Sequence, residues 1–152
     1  MKFIADLHPL VIHFPLVLFI LYFFFESIGF LFKKDFLTKS SVIILLLGIF
    51  FSIISVLSGN QAEQMFFIFG VDDLEKYRES IINHSDLATY SLAYFTLFTF
   101  LRIYYLLKKK LSSKVMYIII LLSLFGVILI ILTGLSGGKL VYELGVGTKL
   151  LK

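Results

Sequence analysis

The sequence lacks cysteine entirely and contains only two prolines and three histidines in 152 residues. Without cysteine there is no thiol nucleophile, no iron–sulfur cluster and no covalently attached c-type haem. Charge is also scarce, because Asp, Glu, Lys and Arg make up 16% of the residues. Apolar side chains make up 59%, more than the roughly half that is usual in soluble domains. The composition therefore indicates a membrane protein.

Four apolar stretches reach the length that crosses a bilayer, about 20 residues. They are residues 10–32, 41–59, 87–107 and 115–136. The stretches are uninterrupted and do not alternate, which favours helices over barrel strands. Short loops after the first and third stretches make neighbouring helices antiparallel. We expect one domain over residues 1–152, an all-α integral membrane protein folded as an antiparallel four-helix transmembrane bundle.

The long connection at residues 60–86 contains its own helix signals. Asp72 followed by Glu75 predicts an N-cap, and the apolar residues behind it predict a short amphipathic helix at the outer interface. That apolar face consists of Leu74, Tyr77 and Ile81. Asn83 followed by Asp86 repeats the cap pattern and predicts the start of the third span.

Lysine is concentrated in the two short loops. These loops contain Lys33, Lys34, Lys39, Lys108, Lys109, Lys110 and Lys114, whereas the charged residues of the 60–86 segment are mostly acidic. By the positive-inside rule the short loops are cytoplasmic, and both termini and the 60–86 segment are periplasmic. We expect a multi-pass protein of the bacterial inner (cytoplasmic) membrane. The net charge of +4 follows from this topology and predicts no nucleic-acid partner.

Two charged residues, Glu26 and Arg102, lie inside the apolar spans. Charges within a membrane are costly and usually face the bundle interior in pairs. We expect an ion pair between them toward the cytoplasmic side, acting either as a structural lock or in a proton path. The alternative is that Arg102 extends to the lipid headgroups.

The three histidines all fall on the predicted outer side. His8 and His13 belong to the opening His8-Pro9-Leu10-Val11-Ile12-His13-Phe14-Pro15, and His84 precedes the third span. His8 and His13 are about 140° apart on an ideal helix, so one regular helix cannot direct both to one metal. His13 and His84 are expected at matching depth on separate helices. They are therefore candidates for bis-imidazole ligation of haem b, with His8 as a substitute ligand or a supporting partner.

Small and basic residues near the outer level fit the same hypothesis. Glycines permit close approach of a macrocycle, and the candidates are Gly59, Gly134, Gly137 and Gly138. Lys139 and Arg78 are candidates to neutralise haem propionates. The alternative is that the glycines only pack or end membrane helices.

The opening and the end of the chain resemble a known family. The His8-Pro9-x-x-Val/Ile-His13-Phe14-Pro15 opening, and the ending from Gly137-Gly138-x-Leu140-Val141-Tyr142 to Gly147, are similar to a group of predicted four-helix bacterial membrane proteins of unknown function. His84 matches a histidine near the start of that group's third helix. The resemblance covers essentially the whole chain. Relatives fused to cytochrome-like or iron–sulfur domains imply a redox context.

Three functions from different classes remain open. The first is a haem-b electron carrier or anchor subunit of a redox assembly, working with membrane or periplasmic partners such as cytochromes. The second is a non-catalytic scaffold in a larger membrane complex or a homo-oligomer, with no cofactor bound. The third is a Cu or Zn site formed by His8, His13 and His84. None of the three requires enzymatic activity.

The topology can be tested with single cysteines, because the natural chain has none. A cysteine replacing Glu75 should react with a membrane-impermeant maleimide in intact spheroplasts. A cysteine replacing Lys109 should react only in inverted vesicles. The opposite pattern at both positions would reverse the orientation.

Overall fold

The computed structural model of the chain describes residues 2–69 and 75–148. The described part contains five α-helices. They are α1 (Lys2–Val11), α2 (His13–Leu31), α3 (Asp35–Phe69), α4 (Glu75–Leu107) and α5 (Ser113–Tyr142).

The prediction of four membrane-spanning helices is confirmed. The helical stretches that are long and apolar enough to cross a membrane are Ile4–Leu31, Asp35–Ile68, Tyr77–Leu107 and Ser113–Tyr142. The protein is an all-α four-helix membrane bundle embedded in lipid. We call the end with both termini and the α3–α4 connection the histidine end, and the end with the two short loops the lysine end.

The centre of the bundle is formed by α2 and α4. Among the described residues, each of these helices packs against both α3 and α5, so α2 and α4 face each other diagonally. Phe19 of α2 and Phe95 of α4 stack in parallel, with ring centroids 3.5 Å apart. Gly48 and Gly126 make room for the stack. A Cβ at Gly48 would lie 2.5 Å from the Phe19 ring, and a Cβ at Gly126 would lie 2.7 Å from the Phe95 ring.

The 60–86 segment differs from the sequence prediction in one respect. α3 continues to Phe69 and α4 runs unbroken from Glu75, so the predicted helix start at Asn83 and Asp86 is wrong. Tyr77 and Ile81 are buried against Leu140 of α5 and do not lie on lipid. Helical spacing identified the right face, but a neighbouring helix covers it. The expected cap at Asp72, and Leu74, lie outside the described residues.

The first span is broken where the prolines occur. α1 ends at Val11 and α2 begins at His13, with Pro15 in its first turn. Proline has no N–H, so Pro15 leaves the Val11 carbonyl without its helical donor. Ser55 on α3 donates its hydroxyl to that carbonyl at 3.3 Å. The break is therefore stabilised by a neighbouring helix.

The predicted pairing of the two charges inside the spans is confirmed. Arg102 Nη2 lies 2.8 Å from Glu26 Oε1, and both side chains are at most 1% exposed. Arg102 Nε also donates to Glu26 Oε1, at 3.1 Å. Ser41 donates its hydroxyl to the other carboxylate oxygen. The pair links α2 to α4 beneath the phenylalanine stack.

These contacts reveal an internal twofold pseudo-symmetry that relates residues 4–69 to residues 80–147. Glu26 and Arg102 are 76 residues apart, and the same separation relates Phe19 to Phe95 and His8 to His84. On α3 and α5 the equivalent positions are two residues further apart, as for Gly48 and Gly126. This matches a loop of residues 32–34 in one half and 108–112 in the other. Because both halves begin at the histidine end, the pseudo-axis runs along the bundle.

We predict that the central ion pair is strongly coupled. Glu26→Gln or Arg102→Gln alone should lower the free energy of unfolding by about 3–5 kcal/mol, because each leaves a buried charge or donor unpaired. The free energy of unfolding of the double variant should fall by clearly less than the sum of the two single losses. Reversible unfolding in detergent measures all three.

The exposed pair Glu75–Arg78, with N···O 3.3 Å, is the matched control. Its cycle of Gln variants should show coupling of about 1 kcal/mol or less. Additive losses at Glu26 and Arg102 would contradict the pairing.

Candidate functional site

The histidine end contains two imidazoles with fixed hydrogen bonds. His8 of α1 places Nδ1 3.1 Å from the Ser55 carbonyl oxygen and 3.1 Å from Ser58 Oγ. A carbonyl only accepts hydrogen bonds, so Nδ1 is the protonated nitrogen of His8. Nε2 consequently has a free lone pair.

His84 of α4 is held in an equivalent way. Its Nδ1 lies 2.8 Å from Ser136 Oγ. The Ser136 hydroxyl already donates to the Thr133 carbonyl at 2.8 Å, so it must accept from His84. Nδ1 is again the protonated nitrogen, and Nε2 is again left as an acceptor or ligand atom.

The supporting contacts repeat as well. Ser58 donates to the Ser55 carbonyl at 3.0 Å, as Ser136 does to Thr133. Thr133 Oγ1 reaches the Leu87 carbonyl at 3.4 Å, as Ser55 reaches Val11. Val11 and Leu87 each lie three residues after their histidine. The pseudo-symmetry therefore extends to the hydrogen bonds that orient the imidazoles.

A glycine packs against each ring. A Cβ at Gly59 would lie 2.9 Å from Cε1 of His8, and a Cβ at Gly137 would lie 2.9 Å from Cε1 of His84. Any larger residue would displace the imidazole. Gly59 and Gly137 directly follow Ser58 and Ser136, which bind the rings by hydrogen bonds. In each half, one histidine ring therefore contacts two consecutive residues, a serine and a glycine.

Both imidazoles line one open cavity of about 680 Å³. The walls are mixed, with apolar groups from Phe66, Ile81 and Leu140 and carboxylates from Asp6 and Glu63. The volume lies in the range of small-molecule and cofactor sites, about 300–1,000 Å³.

His8, and not His13, shares the cavity with His84. His13 is exposed at the start of α2 and is not among the cavity residues. By the 76-residue relation, His84 matches His8 in depth, and Thr89 is the counterpart of His13. Within the part of the chain that the structure describes, no three His, Asp or Glu side chains form a group suited to a metal ion.

The other residues predicted for the site divide into two sets. Gly59 and Gly137 line the cavity, as expected for close approach. Gly134 faces Leu16, and a Cβ at Gly138 would meet only Tyr142 at 3.9 Å. Arg78 pairs with Glu75 and lies over the Phe67 ring at 5.3 Å, and Lys139 is exposed. Neither basic residue lines the cavity.

Sequence reasoning missed the residues that orient the histidines, namely Ser55, Ser58, Thr133 and Ser136. A signal was present. Leu-Ser-Gly occurs at residues 57–59 and again at 135–137, and each copy follows a Ser or Thr by one turn. Matched with the separation of His8 and His84, this recurrence would have indicated the pseudo-symmetry.

The fold and the cavity define a four-helix integral membrane protein with a paired-histidine site at one end. The chain belongs to the family described as "Predicted membrane protein (DUF2231)", which matches residues 5–150. No curated protein and no solved structure matches the chain.

We predict that the two histidine-packing glycines cannot be enlarged. Gly59→Ala and Gly137→Ala should each lower the free energy of unfolding by about 1–3 kcal/mol, because the new methyl group overlaps an imidazole that is held by hydrogen bonds. Unfolding in detergent measures the change. Gly138→Ala is the control, since its Cβ would meet Tyr142 only at an ordinary contact distance of 3.9 Å and alanine favours helix. Equal effects at all three positions would contradict the close packing.

Proposed function

We propose that the chain is a b-type haem-binding membrane subunit that transfers electrons or anchors a redox assembly, with His8 and His84 as the axial ligands. The observation that supports this most is the pair of fixed tautomers. Each Nδ1–H is committed to a hydrogen bond on its own half of the bundle, which leaves two unprotonated Nε2 atoms at one cavity. Protein histidines that bind metals usually donate their other N–H in this way.

The pseudo-symmetry supports a flat ligand between the two rings. Imidazole nitrogen is a common protein ligand of haem iron, and His8 and His84 would each supply one. His8 and His84 come from opposite halves and have matching surroundings. Gly59 and Gly137 let each ring pack closely against the neighbouring helix, and apolar walls suit the macrocycle.

His8 and His84 would together hold the haem iron. The bound haem would supply one-electron transfer rather than catalysis of a substrate reaction. The chain's own contribution is to orient the ligands through Ser55, Ser58 and Ser136 and to exclude water on the apolar side of the cavity. The basic residues considered for the propionates, Lys139 and Arg78, lie outside the cavity and are not assigned that role.

The lysine distribution supports a specific orientation in the bacterial inner membrane. By the positive-inside rule, the lysines at the two short loops favour a cytoplasmic lysine end. The histidine end and its cavity would then face the periplasm, where cytochromes or other redox subunits are the partners that a haem would serve. The aromatic and apolar outer surface suits lipid or a membrane partner equally.

Reduced-minus-oxidised absorption spectra test the proposal. Protein purified from haem-replete cells should show the sharp α-band of a low-spin b-type haem after dithionite reduction. His8→Ala and His84→Ala should each abolish the low-spin spectrum. His13→Ala, a matched change at an exposed histidine, should retain it.

Other outcomes overturn the proposal in distinct ways. Loss of the low-spin spectrum in His13→Ala, together with its retention in His8→Ala, would indicate that His13 and His84 are the ligands. A colourless protein that carries Cu or Zn, lost in the His8 and His84 variants, would make the cavity a metal site. A colourless, metal-free protein would favour the scaffold function.

A further inference from the structure

A second cavity, of about 810 Å³, lies at the lysine end. Residues from all four long helices line it, including Gly29, Thr38, Arg102 and Met116. It is on the far side of the phenylalanine stack from the histidines. Nothing in the proposed haem function uses it.

Arg102 brings an unsatisfied donor to this cavity. Its Nε and Nη2 bind Glu26, but Nη1 has no hydrogen-bond partner among the described residues, although it is buried. The Tyr22 hydroxyl lies beside the guanidinium but makes no hydrogen bond of good geometry either. The Arg102 side chain is 1% exposed, and a buried donor left unpaired costs about 1–3 kcal/mol or more. An anionic oxygen in the cavity would satisfy it.

The remaining lining combines positive charge with apolar walls. Lys33 and Lys39 contribute cations, against one carboxylate from the described lining residues, that of Asp35. Phe30, Val42, Ile43 and Leu106 contribute apolar surface. Arg102 and Lys39 lie five and four residues from the lysine-end termini of α4 and α3. They are therefore roughly 6–8 Å inside the helix ends, at the depth of lipid headgroups and the first acyl carbons.

We infer that this cavity binds an anionic phospholipid, with the phosphate between Arg102, Lys33 and Lys39 and an acyl chain along the apolar wall. Basic pockets between transmembrane helices are known to favour anionic headgroups. A free phosphate would gain nothing from the apolar wall.

The pseudo-symmetry supplies a matched control for Lys33. Lys33 and Lys109 are 76 residues apart and both adopt a left-handed backbone, with φ of 54° and 51°. Lys33 lines the cavity but Lys109 does not. The counterpart of Gly29 is the bulky Tyr105. The site is therefore expected in one half only.

Native mass spectrometry of delipidated protein in detergent, titrated with phosphatidylglycerol, tests the inference. One phosphatidylglycerol should bind, and Lys33→Gln/Lys39→Gln should weaken it on the order of tenfold or more, since each lysine near a headgroup contributes about 1 kcal/mol. Lys109→Gln/Lys114→Gln removes the same charge at the same end and should change binding less than twofold. Neutral phosphatidylcholine should not compete.

Three outcomes would overturn the inference: equal weakening by both double variants, equal binding of phosphatidylcholine, or inorganic phosphate that binds with the same lysine dependence. The last would indicate an anion site without lipid. These variants lie far from His8 and His84, and an unchanged unfolding midpoint in detergent serves as a separate check that the protein is folded.

Discussion

The contact between α2 and α4 across the bundle centre fixes the position of the other functional elements. In lipid, a buried carboxylate and guanidinium must satisfy each other, because water cannot. The Glu26–Arg102 pair therefore fixes the position of α2 along the bundle axis relative to α4, because the membrane-spanning parts of both helices are otherwise mainly apolar. The Phe19–Phe95 stack repeats the same register above the pair. His8 precedes Phe19 by eleven residues, and His84 precedes Phe95 by the same number. Eleven residues of helix span about 16 Å, so His8 and His84 lie at the same depth in the bundle.

The same centre shows why the two halves differ. Perfect twofold symmetry would place two carboxylates or two guanidiniums together at the Glu26–Arg102 position, and like charges in a low-dielectric interior repel strongly. A single chain with two distinct halves can place opposite charges there. At the histidine end, the two halves have similar hydrogen bonds. The first half forms them with a helix that is interrupted near Pro15, and the second half forms them with the continuous α4.

Sequence alone predicted the four spans, the antiparallel arrangement and the central ion pair, because length, charge and the cost of burying charge determine them. It did not predict which two histidines line the same cavity. In a soluble protein the apolar face of a helix would identify its interior side, but in a membrane the side toward lipid is apolar as well, so the pattern did not show which of His8 and His13 faces the interior. The local distortion around Pro15, which depends on Ser55 of another helix, decides which of them faces the cavity. The unbroken start of α4 was missed for a related reason, since the cap-like Asn83 and Asp86 lie within a helix that packing on α5 stabilises.

The closed centre also restricts what a cofactor at the histidine end would do. The phenylalanine stack, fitted closely against Gly48 and Gly126, and the ion pair separate the two cavities. All three histidines of the chain lie on one side of that barrier. Transfer of electrons across the whole membrane would require a second haem toward the lysine end, and the chain offers no histidine there to bind it. Under the proposed function, the protein would therefore exchange electrons with partners on one side of the membrane only, which suits an anchor or relay subunit better than a transmembrane electron conduit.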